Sequence, residues 1–395
     1  MKILIAAVSF SSNISGVERH ALNLVRCLLL QPEISELHLV VAPWQHQVLQ
    51  SVQPLIDARL LTHVVDVHRS SHSRNLWYYR QLPKLAAQMQ VDLVHLSFPM
   101  PCRGSGFHCP TIVTLHDMYP FEIPLNFGFP KFILNRLSLW QCLRNVDAIT
   151  CVSEATRIRL KQYLPAAWGK ASQIYNYALM APASAAQSPI PGWECEPFLL
   201  CVAQHRRNKN IPTLIRAFDR LSLSGQISPH TKLVVVGIRG PESGAIDRLI
   251  HDSGLIGSVH LLEGLSEPEL KWCYVHCEAL VSPSLTEGFD VPVAEGLLAG
   301  CRIVCSDIPA HREIGDRYCR FVALHENSEE AFAAAIAASL REPKPQAISL
   351  PMFSAPTIAK QYVSLYRRLI SSAEFAQSTR AASAISISNS ESQSL

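Results

Sequence analysis

Apolar and polar positions along the chain fall into two rhythms. Short continuous apolar runs at Lys2–Val8, Leu37–Ala42, Val64–Val67, Leu93–Leu96, Ile112–Leu115 and Ala148–Val152 predict buried strands. Between them, Gly16–Leu30, Leu76–Gln88, Lys131–Arg144 and Glu154–Tyr163 space their apolar residues as helices do. Strand–helix alternation implies a parallel sheet with right-handed crossovers. The rhythm fails over Ala181–Pro197, which is rich in Ala, Ser and Pro and reads as a linker. It then resumes. Phe198–Ala203, Leu233–Gly237, Val259–Leu262, Ala279–Ser282, Arg302–Ser306 and Phe321–Leu324 read as strands. Ile211–Leu221, Ser243–Asp252, Glu267–Tyr274, Pro292–Ala299 and Glu329–Leu340 read as helices. The pattern predicts an α/β protein of two doubly wound, Rossmann-like domains facing a central cleft. Residues 1–180 form the N-terminal domain, 181–197 the linker and 198–355 the second domain. A helix over 356–371 is expected to pack back on the N-terminal domain, and the Ser-rich 372–395 to be a disordered tail.

Composition narrows the classes. The 395 residues are 48% hydrophobic and 17% charged, ample for two cores. A net charge of +3 is too small for a dedicated nucleic-acid binder. Twelve cysteines lie scattered without a CxxC pair, which reads as reduced thiols in a cytoplasm rather than a metal site. The opening MKILIAAVSF is too short an apolar run for a secretory core and reads as a first strand. No run reaches the eighteen or so apolar residues that a membrane span requires.

Candidate chemistry concentrates in Ser282–Ile314, SPSLTEGFDVPVAEGLLAGCRIVCSDIPAHREI. A buried strand leads into a loop with Glu287, Gly288 and Phe289. Pro292 suits the first turn of a helix, Glu295 is expected in that same turn, and Gly300 suits its end. A loop and helix start at a strand's C-terminal edge is where doubly wound sheets bind ligands. The exposed N–H groups and positive dipole end there favour a diphosphate. Glu295 is placed to accept from ribose hydroxyls, and Glu287 from a sugar.

This segment resembles the donor signature of the large retaining family of GT-B glycosyltransferases, in which two glutamates, here Glu287 and Glu295, are separated by seven residues. The resemblance implies that Glu287 contacts the transferred sugar and Glu295 the ribose, within a donor site that includes Gly288 and Phe289. Asp290 stands where Gly is more usual, so its side chain is expected to narrow the donor space or add a selective contact. Phe198–Phe218 resembles the first strand and helix of the donor domain. Lys209 matches the diphosphate-binding Lys, and Arg206 or Arg207 stands where a second cation is usual. His116, ending the strand in TIVTLHDMYPFEIP, matches the interdomain His that faces the donor sugar; a core or capping role is the plainer alternative. Asp117 reads equally as a turn former. Gly16 falls where a glycine pair often approaches phosphate, and Gly237 is expected near the nucleobase.

The resemblance implies retaining transfer from a nucleotide-diphosphate sugar, GDP-mannose or a UDP-sugar, to a glycan or lipid-linked acceptor in surface polysaccharide biosynthesis. In its N-terminal part the chain particularly resembles mannosyl-type transferases of bacterial surface polysaccharide assembly. Neither a DxD-like motif nor a GxGxxG after the first strand occurs, so turnover is expected without a metal or other cofactor. A nucleotide-sugar epimerase on the same fold, or a catalytically silent relative that binds a partner enzyme, would share much of this pattern. Lys131–Arg144 mixes Lys131, Arg136 and Arg144 with large apolar residues. It reads either as a core helix with a basic edge or as a peripheral contact with the inner membrane surface. The expected location is cytoplasmic, including that membrane face.

Overall fold

The computed structural model describes residues 1–10, 16–46, 56–178, 188–190, 193 and 196–392, with side chains through 375 except Leu125. Two all-parallel sheets organise it. The first runs in the order β3-β2-β1-β4-β5-β6-β7 and the second β10-β9-β8-β11-β12-β13. The strands of the first are β1 Lys2–Ala6, β2 Glu36–Val41, β3 Leu60–Val64, β4 Leu93–Leu96, β5 Thr111–Leu115, β6 Ala148–Cys151 and β7 Ala171–Gln173. Those of the second are β8 Phe198–Val202, β9 Lys232–Val236, β10 Val259–Leu262, β11 Ala279–Ser282, β12 Ile303–Ser306 and β13 Cys319–Val322.

Helices cover both faces of each sheet. Besides the single turn Tyr119–Glu122, they are α1 Gly16–Leu29, α2 Ser71–Leu76, α3 Leu82–Met89, α4 Lys131–Asn145, α5 Glu154–Tyr163, α6 Ile211–Leu223, α7 Ser243–Asp252, α8 Glu267–His276, α9 Val291–Ala299, α10 Pro309–Gly315, α11 Ser328–Leu340 and α12 Ala355–Ser392. Central strands such as β4, β5, β11 and β12 are buried along their whole length, as two-sided cover requires. Ser153 caps α5, and Ser266 with Glu269 forms a reciprocal capping box on α8.

Strand order reverses between β1 and β4 in one sheet and between β8 and β11 in the other, and ligand crevices form at such switch points. Ile174–Ala178 and Leu350–Phe353 cross between the domains, joined where the Ala178 N–H donates to the Phe353 carbonyl at 3.2 Å. The C-terminal helix lies on the N-terminal domain. Ile358, Tyr362 and Tyr366 pack with Ile3, Leu24 and Leu28, and Tyr366 OH meets His95 Nδ1 at 2.5 Å.

Several elements differ from the pattern. The third strand is Leu60–Val64, not Val64–Val67. It is a half-exposed strand beside β2 at the sheet's edge, so it carries no continuous apolar run. The helix expected over Leu76–Gln88 begins earlier, at a Ser70 cap, and passes through a π turn at Trp77–Gln81 just before Pro83, which has no N–H to donate. β7 and α10 were not anticipated, being too short for periodicity to register. The last helix runs beyond 371 to Ser392 through a stretch with neither Gly nor Pro to stop it. Most of the Ala181–Pro197 linker lies outside the described residues.

Candidate functional site

Loops at the C-terminal ends of β5 and β6 in the first sheet meet those after β8 and β11 in the second around Glu287 and Gly288. Lys209 sits in a single 3-10 turn, Arg207–Lys209, between β8 and α6; Asn210, with left-handed backbone (φ +49°), turns the chain into α6. Lys209 Nζ donates to Glu287 Oε1 at 2.5 Å. From the other domain, Tyr119 OH donates to Glu287 Oε2 at 3.1 Å. Burial disfavours the charged form of Lys209, but the Glu287 and Asp290 carboxylates outweigh it and hold its pKa above the ordinary lysine value. Burial, then the negative charge of Glu287, pushes the Tyr119 phenol well up, so it remains a donor.

Glu295 is the fifth residue of α9, not a first-turn residue, because the helix starts at Val291, one residue before Pro292. Its buried carboxylate accepts from Tyr274 OH at 2.8 Å. Burial raises its pKa, and Arg19, reaching from α1 across the cleft, opposes that shift. His116 Nε2 lies 2.8 Å from the Ser97 carbonyl, which can only accept, so Nε2 carries the proton. Burial lowers its pKa to about 4 and the ring is neutral. Asp117 Oδ1 accepts the Tyr119 N–H at 3.0 Å, the turn-forming role, while burial raises its pKa to about 6. Arg206 and Arg207 are exposed; the charge of Arg206 acts on Asp117.

The Phe289 side chain is buried at the crossing between domains, beside Tyr175 and Phe353, with ring centroids 5.9 and 5.2 Å away. The Asp290 carboxylate is buried and bonds within the second domain, to Ser282 and His311. Gly237 lets the ends of β8 and β9 touch, since a Cβ there would stand 1.9 Å from the Ala203 carbonyl oxygen. Gly16 is exposed at the start of α1, and residues 11–15 before it lie outside the described set.

Gly288 is a close contact between domains. A Cβ on it would lie 1.7 Å from the His116 carbonyl oxygen. Its own carbonyl accepts from Ser153 Oγ and from Thr156 Oγ1, the latter at 3.1 Å. Beside it, Glu122 pairs with Arg159 and accepts from Thr286 Oγ1 at 3.2 Å. A narrow cleft lies here, lined by Asp117, Glu122, Thr156, Arg159, Thr286 and Glu287 among others. Tyr119, Glu122 and Arg159 were missed in the sequence, where the one available signal was the closeness of Tyr119 and Glu122 to His116. Among the described residues, no group of three or more His, Cys, Asp or Glu is arranged to hold a metal ion, and no helix is long and apolar enough to cross a membrane.

Residues 185–349 match the family Glycosyl transferases group 1, and residues 14–177 match Glycosyltransferase Family 4. O-antigen chain mannosyltransferase B of Escherichia coli is 25% identical over 374 residues, covering 87% of this chain and 91% of that protein. A sucrose-phosphate synthase from Thermosynechococcus elongatus superposes with a TM-score of 0.67 at 14% identity, over 94% of this chain and all (100%) of that one. HepE of Anabaena, solved in complex with UDP and glucose, superposes with a TM-score of 0.66 at 16% identity, over 92% and 99% of the two chains. These last two likenesses establish the GT-B fold.

Proposed function

The chain belongs to the group 1 glycosyltransferases of GT-B fold, and from that premise we propose that it transfers a sugar with retention of configuration from a nucleotide-diphosphate donor to a growing surface glycan. The observation that carries this reading is the half-buried Lys209–Glu287–Tyr119 constellation, where the ends of two facing sheets meet. Lys209 would stabilise the charge gathering on the departing diphosphate, with Arg206 as the second cation. Glu287 would accept hydroxyls of the transferred sugar, and Glu295, beside Tyr274, those of the ribose. His116, neutral, would line the sugar's other side. The mannosyltransferase relative favours GDP-mannose as donor, with a UDP-sugar as the alternative that the HepE complex raises. In this reading the fixed cations Lys209 and Arg206 carry the leaving group, and no further cofactor is invoked. The acceptor is a glycan or a lipid-linked oligosaccharide.

The test is a thermal-shift series with GDP-mannose, UDP-sugars and ADP-sugars. One donor should raise the melting temperature, as mass action requires of a ligand that binds only the native state. Glu295→Ala should weaken that donor by about 1.5–3 kcal/mol in calorimetry, the scale of a lost hydrogen bond to a charged group. No shift with any nucleotide sugar, or an unaltered affinity in a folded Glu295→Ala protein, would defeat the reading of the site.

We place the acceptor side near a membrane surface because of α4. That helix buries Leu139, Cys142 and Leu143 but leaves Leu134 60% and Leu137 57% exposed, with Trp140 beside them. Lys131 and Arg144 are exposed at its two ends, and the helix has no acidic residue. An apolar stripe with cations and no acid suits an anionic lipid surface. The protein should sediment with vesicles containing anionic lipid at low salt and release at high salt. Leu134→Ser with Leu137→Ser should abolish sedimentation. A wild-type protein indifferent to such vesicles would remove the membrane from this proposal.

A further inference from the structure

Beneath the donor loop lies a buried charged pair that the reaction as read above does not use. Asp290 is the residue before α9 and has left-handed backbone (φ +67°), a conformation that normally favours glycine. Its side chain makes no capping bond to α9 and turns into the core instead. There it accepts from Ser282 Oγ at 2.6 Å and from His311 Nε2 at 2.7 Å. The other ring nitrogen of His311 meets the Ser306 carbonyl at 2.8 Å. A carbonyl and a carboxylate are both acceptors, so His311 carries protons on both nitrogens and the pair is a true ion pair. Its side chains are 0% and 2% exposed.

A buried ion pair is a weak source of stability, because desolvation offsets most of the attraction. Its placement suggests a different use. His311 lies on α10, and two residues further on, Glu313 accepts the N–H groups of Glu154 and Ala155 at 2.6 and 2.8 Å. Those amides form the N-terminus of α5 in the opposite domain. One short helix thus grips the donor loop on one side and the other domain on its far side.

We propose that Asp290 and His311 are positioning residues for transfer, fixing the loop from Glu287 to Asp290 so that its setting is tied to the docking of α10 on the N-terminal domain. The proposal deepens the transferase reading and rests on it for its kinetic arm. Asp290 accordingly acts on the rate and not on donor selection.

The experiment has two arms. The first needs no substrate: amide hydrogen exchange across residues 286–291 in wild type and in Asp290→Gly, a change that keeps the backbone conformation and removes the carboxylate. Exchange there should quicken about tenfold or more, while β8, β9 and β11 stay protected. Unchanged exchange in the loop would overturn the proposal. The second arm compares kcat and donor KM. Asp290→Gly and His311→Gln should each lower kcat by about tenfold to a hundredfold with donor KM within about threefold, the scale of a misplaced reacting group. Their double variant should be little worse than either single, since the pair acts as a unit. Asp290→Asn, which tolerates left-handed backbone and keeps an acceptor for His311, should recover most of the loss. A kcat unchanged in Asp290→Gly would overturn the proposal, as would a donor affinity falling in step with kcat, because Asp290 would then touch the donor. If the wild type transfers no sugar from any donor, the transferase reading fails, and the exchange arm alone decides whether the pair sets the loop.

Discussion

Lys209→Ala is expected to lower the transfer rate about a hundredfold or more, while turnover by the wild type survives excess EDTA. A nucleotide diphosphate gains negative charge as its bond to the sugar breaks, and removing one preorganised electrostatic contact costs about that factor. The structure adds a second expectation. Lys209 is the cation bonded to Glu287 Oε1 at 2.5 Å, and the two side chains are only 19% and 5% exposed. Removing one partner of this half-buried pair leaves the other charge without its partner, which destabilises the fold. Lys209→Ala should therefore also melt lower. Adding Glu287→Gln should restore much of the stability without restoring the rate, which separates the two effects. Lys209→Arg should rescue only part of the rate, because a planar fork does not replace a point charge. Nucleotide release, followed with and without EDTA and manganese, reads these outcomes. If EDTA stops the wild type, manganese restores it and Lys209→Ala stays active, the leaving group is stabilised in another way.

Gly288→Ala should cost about a hundredfold in transfer with little change in the folding of either domain. The added Cβ would stand 1.7 Å from the His116 carbonyl oxygen and 2.8 Å from its carbon, distances that no packed carbon tolerates. Those neighbours are backbone, so no rotamer change relieves the clash. They also belong to the other domain, so the strain falls on the docking of the two halves rather than on either core. The same docking holds Tyr119 on Glu287 and Glu313 on α5. A displacement of about 1 Å in such a site is enough for a hundredfold loss. Donor affinity should fall far less, because Lys209 and Glu295 share a domain with the variant loop. X-ray scattering in solution should show a larger radius of gyration in Gly288→Ala than in wild type. Full activity in this variant would mean that the contact is dispensable for catalysis.

Much of this was legible in the linear sequence. Apolar runs and helix-spaced faces placed most of the elements of both sheets, because burial on both faces of a parallel strand leaves a continuous signal. Glu287, Lys209 and Glu295 were visible as a motif, since each sits on its own short segment at a strand end or helix start. The edge strand Leu60–Val64 and the seven-residue α10 were not, because one is half exposed and the other shorter than two helical turns. Glu295 was misplaced by the one residue that separates Val291 from Pro292, enough to move it from the first turn to the second.

What only the tertiary structure decided are the partners. Tyr119 meets Glu287 across 168 positions, and Ser153 meets the Gly288 carbonyl across 135. No local pattern records such pairs, which exist because the strand ends of the two sheets are brought face to face. The same closure sends Phe289 into the crossing between domains and turns the Asp290 carboxylate inward to His311. Periodicity reports which face of an element avoids water. It carries no information on which distant polar group will satisfy a buried charge, and here that pairing determines where each motif side chain lies.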